Sequence, residues 1–367
     1  MNKPHKTYLD IRPISLEQLT SSADLRCTLT ETIKTLLQQT NHILITPPKP
    51  TPNPKTFLNS LKTHPKIYQA SMSRQFAADL PPDIEQTALK DEPKDWYIKT
   101  ADFGDDCDRP VQHRDGEYTQ LLEDLAVYHQ ILQEHCDRII VLRPPNYGRY
   151  DILVNAAMRC LGYTKAQFEF IIVQPIKLYA FHKPTQKLHP IPDLPPNELL
   201  KAIGIDALRW NSFSTPLVEN APINISTAGQ ATPQDILYRI QSDHAHCCLL
   251  LEQAHQQGII QLDPADNWQM TPTPMLLAEY IWDNANAATL ANLVQATTKV
   301  IEKSASEIAP HLLCQHLEAI SNTCHQWFNS LTLNPQTCTL LLATKQTIFA
   351  LLENILGIKA PAPTKVT

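Results

Sequence analysis

The stretch Ile203-Gly204-Ile205-Asp206-Ala207-Leu208-Arg209-Trp210 divides the sequence into two parts with different patterns. Before it, extended apolar runs alternate with helical ones, whereas after it only helical spacing remains. Gly204 can adopt the left-handed conformation that ends a helix, and Asp206 can cap the next helix by accepting a backbone N–H. The stretch therefore predicts a helix-to-helix junction between an α/β segment and an all-α segment.

Composition places the chain among ordinary globular proteins. Its 367 residues suffice for two or three domains, and no run of about 18 apolar residues predicts a membrane span. The N-terminus lacks the apolar core of a signal peptide, so we expect a cytoplasmic protein without a membrane partner. Nine cysteines without a Cys-x-x-Cys pair are typical of reduced thiols. Neither G-x-G-x-x-G nor G-x-x-x-x-G-K occurs, so no standard phosphate-binding loop is predicted.

Charge is distributed unevenly along the chain. Residues 206–367 contain 7 Lys or Arg against 13 Asp or Glu, so this part carries the whole net charge of −6. A nucleic-acid-binding domain normally has a basic stripe, which this part lacks. We therefore do not expect DNA as a partner, and any RNA contact must rely on few cations.

Upstream of the junction, the pattern predicts a parallel sheet. Residues 120–132 have the apolar spacing of a helix, and Ile139–Leu142 reads as a buried strand. A helix from about Asp151 follows, ended by Gly162, and then the apolar strand Phe168–Val173. Strand, helix and strand within so few residues form a βαβ unit with two parallel strands.

Five motifs in this order carry a resemblance to a known family. They are Gly104-Asp105-Asp106-Cys107-Asp108-Arg109, Asp115-Gly116-Glu117-Tyr118-Thr119, Asp124-Leu125-Ala126, Asp206-Ala207-Leu208-Arg209 and Gln241-Ser242-Asp243-His244-Ala245. In kind and in spacing they resemble motifs of the arginyl-tRNA synthetases, with Asp-Ala-Leu-Arg at the junction that names the DALR anticodon-binding domain. The resemblance is collinear over about residues 96–361.

The resemblance implies an α/β plus all-α fold, with a partial class I synthetase core of Rossmann type followed by a helical bundle. It divides the chain into three parts: residues 1–95, a small N-terminal domain with a Pro-rich loop that weakly resembles the additional domain of the family; residues 96–205, the remnant of the catalytic core; and residues 206–367, the DALR-type bundle. If the first half of the nucleotide-binding fold is missing, as the resemblance implies, an edge strand beside Ile139–Leu142 or Phe168–Val173 lacks a neighbour. We expect the N-terminal segment or a protein partner to cover that edge.

The motifs that bind ATP in this family are absent. No His-x-Gly-His occurs, and Lys183–Pro190 stands where the family has its lysine loop. Arg143–Gly148 replaces the family's Gly-x-Asp-His-x-Gly, and Pro144 and Pro145 have no N–H to offer an anion. We therefore expect no cofactor, with ATP and Mg²⁺ required only if the chain is an active ligase.

The resemblance implies two sets of site residues. Asp124 matches the carboxylate that binds the substrate guanidinium, and Gln120 stands at the position of a family tyrosine. An ordinary carboxylate on a helix surface remains the alternative for Asp124. Toward tRNA, the helix that faces the anticodon stem carries four candidates, which are Tyr238, Arg239, Gln241 and His244. This surface has lost part of its aromatic character, because Ser242 stands at the position of a family tyrosine.

Two clusters have residue types that bind metals. Four aspartates could hold a hard cation, namely Asp102, Asp105, Asp106 and Asp108, but they coincide with a turn that the family resemblance identifies as structural. The other cluster comprises His311, Cys314, His316, Cys324 and His325, and helical spacing places its cysteines at or near an apolar face. We predict no metal site at either cluster.

Three functions remain open from the sequence. The first is a non-catalytic relative of arginyl-tRNA synthetase that binds tRNA, with tRNA-Arg as the implied species. The second is a protein-interaction or regulatory module that has lost RNA binding. The third is an active arginine–tRNA ligase, against which the missing ATP motifs count.

Overall fold

The computed structural model describes residues 5–11, 22–40, 42–45, 52–79, 93–134, 136–182, 185–263, 269–271 and 273–361. The helices are α1 (Ser22–Leu29), α2 (Thr32–Gln38), α3 (Pro54–Leu61), α4 (Arg74–Ala78), α5 (Gln120–Glu134), α6 (Tyr150–Cys160), α7 (Pro196–Phe213), α8 (Ile236–Gln256), α9 (Ala285–Glu307), α10 (His311–Phe328) and α11 (Pro335–Phe349), which continues as a π-helix over Ala350–Leu356. The strands are β1 (His5–Ile11), β2 (His42–Leu44), β3 (Ile67–Ala70), β4 (Asp95–Ile98), β5 (Arg109–Gln112), β6 (Arg138–Arg143), β7 (Phe168–Ile172), β8 (Ile176–His182), β9 (Lys187–Pro190), β10 (Ala221–Asn224), β11 (Gln261–Asp263) and β12 (Gln269–Thr271).

The chain forms two compact units. Unit 1 comprises the described parts of residues 1–12 and 41–173, and unit 2 those of residues 13–40 and 174–367. The predicted boundaries lie after residues 95 and 205, whereas these units divide after residues 12, 40 and 173. The two divisions differ because the N-terminal residues supply strands to the sheet of unit 1 and helices to unit 2.

Unit 1 is built on a parallel sheet with the strand order β2-β1-β6-β7. The strands β6 and β7 pair in parallel on either side of α6, which confirms the predicted βαβ unit. Along its other side β6 pairs with β1, residue for residue from Thr7 opposite Arg138 to Ile11 opposite Leu142. The prediction that the N-terminal segment covers the open edge is thus confirmed.

The core of unit 1 explains why β6 is so apolar. Ile139, Ile140, Val141 and Leu142 are fully buried, as expected for an inner strand of a parallel sheet covered on both faces. On one side of the sheet, Ile139 and Val141 share a core with Leu121, Leu122, Leu125 and Ile131 of α5 and with Val154, Ala157 and Met158 of α6. A small antiparallel sheet, β3-β4-β5, completes the unit. The Pro-rich loop of residues 47–54 lies mostly outside the described residues, and α3 begins at its end.

Unit 2 is mainly helical, with a short sheet in the order β10-β8-β9 and the hairpin β11-β12. The segment Lys183–Pro190, which stands where the family has its lysine loop, is partly described, and its residues 187–190 form β9, which pairs with β8. The helix α2 packs against the π-helix and against α9, so it belongs to this bundle. By length and composition the segment Pro335–Leu356 could cross a membrane, but 61% of its apolar window is buried. A core helix of a helical bundle passes the same test.

A buried arginine joins α1 to the rest of unit 2. The side chain of Arg26 is fully buried and donates to five backbone carbonyls, those of Gln174, Ser212, Thr215, Pro216 and Glu219. Burial lowers the pKa of Arg26 to about 10, a change that nearby Glu219 opposes, so the guanidinium remains charged at neutral pH. It therefore organises the loop that follows α7.

The junction of residues 203–210 is a kink within α7. Gly204 has a φ of 78° and a ψ of 162°, which interrupts the helical backbone at the predicted residue. Asp206, predicted to cap the following turn, instead accepts from the backbone N–H of Lys359 at 3.4 Å. The Arg209 guanidinium donates to the carbonyl of Gly357. The junction thus holds the segment that follows the π-helix.

Candidate functional site

In unit 1, the strand order reverses between β1 and β6. The chain places β2 beyond β1 on one side and β7 beyond β6 on the other. In open α/β sheets, ligands bind outside the carboxyl ends of the strands at such a reversal. Asp10 lies near the end of β1, and Arg143 is the last residue of β6. We call this place the switch-point site and define it by Asp10, Tyr128, Arg143 and Tyr147.

The switch-point site is filled by the protein's own guanidinium group. Arg143 is 3% exposed, and its Nη2 donates to Oδ2 of Asp10 at 2.6 Å while Nη1 donates to the Asp10 carbonyl at 2.9 Å. The hydroxyl of Tyr128 donates to the same carboxylate at 3.3 Å, and the guanidinium lies 5.8 Å from the centre of the Tyr147 ring. Burial would lower the pKa of Arg143, but the Asp10 carboxylate raises it above its ordinary value.

The predicted remnant of the arginine pocket lies in the same unit. The Gln120 amide donates to Oδ1 of Asp124 at 3.0 Å, and the Tyr150 hydroxyl donates to Oδ2 at 2.7 Å. Burial and the adjacent Asp124 both raise the pKa of Tyr150, which keeps its hydroxyl a donor. Both oxygens of Asp124 therefore have internal partners, and a guanidinium ligand would have to displace or share them.

Tyr150 is the residue that the sequence did not reveal. Gln120 and Asp124 are four residues apart, so helical geometry alone brings them together. Tyr150 comes from α6 and reaches Asp124 only through the packing of α6 against α5. No local spacing in the sequence predicts that contact.

The aspartate cluster is engaged by protein donors. Arg109 donates to both oxygens of Asp105 at 2.7 Å and also to Asp106. Asp108 accepts from the Tyr68 hydroxyl at 2.8 Å and from the backbone N–H of Ala101 at 3.2 Å. Asp102 pairs with Lys66 at 3.0 Å. These carboxylates stabilise the turn between β4 and β5, and within the described residues no group of three or more His, Cys, Asp or Glu side chains is arranged to hold a metal.

In unit 2, the start of α8 borders a cavity of about 320 Å³ at the kink in α7. We call it the junction cavity; its walls include the kink residues 203–207, residues 229–231 and Lys359, and Tyr238 and Gln241 come from α8. Tyr238 is 36% exposed. The Gln241 amide donates to the Lys359 carbonyl at 2.8 Å, which fixes the segment bearing that lysine.

The other two tRNA candidates do not face this cavity. His244 is 2% exposed, donates from Nδ1 to the Pro361 carbonyl at 3.2 Å and stacks against Phe349. Burial lowers its pKa, so the ring is neutral at pH 7. Arg239 has a buried Nε without a hydrogen-bond partner. It lies near Glu318, whose pKa is raised by burial, an effect that the charge of Arg239 opposes. His244 is therefore a packing residue in this structure, and Arg239 is partly committed to the bundle.

A second cavity of about 320 Å³ lies between α8 and α10. Its most buried wall is Asp243, which accepts from the Ser321 hydroxyl and from Nδ1 of His325 at 3.3 Å. Burial raises the pKa of Asp243. At the rim, the rings of His246 and Phe328 lie 4.7 Å apart. From the sequence, Asp243 is recognised only as part of a motif. The cavity forms where α8 packs against α10, and the sequence does not show that contact.

The comparisons with known proteins agree with the motifs. A family model described as "DALR anticodon binding domain" matches residues 240–363. The arginine–tRNA ligase of Oceanobacillus iheyensis is 27% identical over 275 residues, which are 72% of this chain and 47% of the ligase. The arginine–tRNA ligase of Bacillus subtilis is 25% identical over 280 residues with the same coverage. Over these lengths the chain is similar to the arginyl-tRNA synthetases, and its C-terminal part matches their DALR anticodon-binding domain.

Solved structures show the fold. A Campylobacter jejuni protein described as an arginyl-tRNA synthetase superposes with a TM-score of 0.66 and 14% identity, over 99% of this chain and 94% of its own. Arginyl-tRNA synthetase of Thermus thermophilus gives a TM-score of 0.57 at 13% identity, over 84% of this chain and 57% of its own. The predicted class I synthetase fold is thus confirmed. The chain spans about half the length of the curated relatives it matches.

Proposed function

We propose that this chain is a member of the arginyl-tRNA synthetase family that binds tRNA through its DALR domain and does not aminoacylate it. The observation that carries the proposal is the match of residues 240–363 to an anticodon-binding domain, together with a cavity at its edge that has an aromatic ring and a lysine. A ring such as Tyr238 can stack on an unpaired base, and Lys359 can neutralise a phosphate. Such a role belongs to translation in the cytoplasm, with tRNA-Arg as the species to test first.

The absence of catalysis is proposed from unit 1. Synthetases of this class need donors that stabilise the phosphates of ATP, and here Pro144 and Pro145 offer no N–H beside the end of β6. The guanidinium of Arg143 already occupies the switch-point site and is bound to Asp10. Asp124 also has two internal partners. These contacts support a unit that has kept the fold and lost access for ATP, so neither ATP nor Mg²⁺ is part of the proposal.

The test is a filter-binding titration of the whole protein against total tRNA at low and moderate salt. We expect saturable binding at low salt with a shallow salt dependence, because few cations can neutralise phosphates. Lys359→Ala should weaken binding to all tRNAs alike, whereas Tyr238→Ala should reduce the preference for one anticodon loop. Lys303→Ala is the matched control, since it removes one exposed lysine of the same unit away from the junction cavity's lining residues.

A protein-interaction module without RNA is the second candidate. It is favoured by one observation, the small number of cations in the DALR region relative to its carboxylates. Absence of saturable tRNA binding at low salt, with the protein folded, would replace the first proposal by this one. Binding that Lys303→Ala weakens as much as Lys359→Ala would place the RNA elsewhere on unit 2.

A further inference from the structure

The segment between β12 and α9 exposes a run of large apolar side chains. Met275 is 54% exposed, Leu276 71% and Ile281 87%. Tyr280 and Trp282 lie within the same segment, with ring centres 5.5 Å apart. We call residues 273–282 the apolar loop. Single exposed apolar residues are ordinary, but several within one short loop mark a site of interaction.

The backbone of the apolar loop is held in place. Its centre is a 3₁₀ turn, Leu277–Glu279, and the Glu279 carboxylate accepts from the N–H of Leu276 at 3.2 Å. The Gln336 amide donates to the Ile281 carbonyl at 2.8 Å, and the Tyr280 hydroxyl lies 3.4 Å from that of Thr339. Because these bonds anchor the loop to the first turns of α11 while its apolar side chains face solvent, a partner would meet a preorganised surface.

The electrostatic surroundings determine what kind of partner fits. Residues 240–344 contain only two lysines and no arginine, against nine Asp and Glu residues. Glu279 and Asp283 are exposed in and beside the loop, and the sequences of α9 and α11 that lead away from it have no cation before Lys299 and Lys345. Such a surface repels phosphate groups and attracts lysine and arginine.

We propose that the apolar loop is a docking site for a basic polypeptide segment with an apolar face, supplied by a protein partner. Apolar side chains of that segment would bury Leu276 and Ile281, while its cations would meet Asp283 and Glu279. The proposal does not depend on tRNA binding. The apolar loop contacts the first turns of the helix Pro335–Leu356, and Lys359 follows the other end of that helix. Because the helix has 22 residues, the loop and Lys359 are about 30 Å apart.

The experiment uses the whole protein and a defined probe. The probe is a fluorescein-labelled 18-residue peptide of Leu and Lys with helical amphipathic spacing, titrated by fluorescence anisotropy. We expect saturable binding that weakens as salt rises, and a loss of at least about tenfold in affinity for the double variant Leu276→Ser, Ile281→Ser. Asp283→Asn should also weaken binding, and by less.

Matched controls separate this site from general stickiness. Val218→Ser and Leu249→Ser remove apolar side chains that are 62% and 49% exposed elsewhere on unit 2 and should leave affinity unchanged. A peptide with Glu in place of Lys should not bind. Because the changed side chains are exposed, circular dichroism and the melting temperature should match those of the unchanged protein.

Four results would overturn the proposal. They are equal affinity of the probe for the double variant, binding of the acidic peptide, crosslinking of tRNA to the apolar loop, and self-association in sedimentation that the double variant abolishes. The last two would assign the loop to RNA or to a second copy of this chain. Failure of tRNA binding at the junction cavity would leave this inference untouched.

Discussion

At the scale of single residues, two arginines matter more to the stability of the fold than any candidate site residue does. The Arg26 guanidinium donates to five backbone carbonyls, and the Arg143 guanidinium donates to Asp10. In both cases a fully charged, planar group lies within the fold and bonds to fixed acceptors, which lysine could satisfy only in part. Each is therefore a place where one substitution has a large effect.

The first prediction concerns Arg26→Met. Methionine fills much of the volume but removes the guanidinium from five carbonyls, of which that of Pro216 keeps the backbone N–H of Glu219. Because the others lose this donor, we expect unit 2 to lose at least about 3 kcal/mol of stability. In scanning calorimetry its transition should shift down by about 6 °C or more. Arg26→Lys, which restores the charge and some donors, should recover part of the loss. A shift within about 1 °C would show that the carbonyls find other partners.

The candidate residues show how far sequence reasoning reaches at this scale. Gln120 and Asp124 are four residues apart on one helix, and this spacing is sufficient to bring their side chains together. His244 lies both on an apolar helical face and in a family motif. The structure agrees with the apolar face, since the ring is buried. The contacts of Tyr150 with Asp124 and of Arg143 with Asp10 join distant parts of the chain, and no local pattern encodes them.

At the scale of elements, β1 is the main departure from the expected plan. Its sequence, His5–Ile11, has no strong alternation and lies within the predicted N-terminal domain. The need to cover the edge of β6 was nevertheless predictable, because an unpaired inner strand is unstable in water. What the sequence could not specify was which segment pairs there, since parallel strands meet through long connections.

The second prediction tests how β1 and β6 close the switch-point site. Arg143→Ala leaves the Asp10 carboxylate without its counter-ion and opens a space of guanidinium shape. We expect a loss of about 3–5 kcal/mol in the stability of unit 1, as for a buried ion pair broken on one side. Guanidinium chloride at low millimolar concentration should raise the melting temperature of the variant, because the free cation can enter and bind Asp10.

Sodium chloride at equal concentration is the control for screening, and Arg159→Ala is the control for losing an exposed arginine in unit 1. Neither should reproduce the effect. If guanidinium changes the melting temperature of Arg143→Ala and of the unchanged protein equally, the vacated space does not bind a cation, and the site has collapsed.

At the scale of the whole molecule, the prediction is that the purified protein does not catalyse arginine-dependent exchange between ATP and pyrophosphate. The reason is cumulative: the two ATP motifs are absent, two prolines stand beside the end of β6, and Arg143 fills the switch-point site. The assay should include an arginine–tRNA ligase as positive control. Exchange above background that Asp124→Ala abolishes would refute the prediction.

Because the chain is synthesised from its N-terminus, Arg26 is made long before the carbonyls that it binds. A ribosome releases α1 and α2 early, yet the carbonyl of Gln174 that Arg26 binds lies 148 residues later in the chain. At ordinary elongation rates the helices wait about 7–30 s for their acceptors. During that interval Leu25, Ile33, Leu36 and Leu37, all destined for burial, have no native partner from the rest of unit 2. Nascent chains of this protein should therefore depend on holdase chaperones that shield apolar helices until synthesis has passed the middle of the chain.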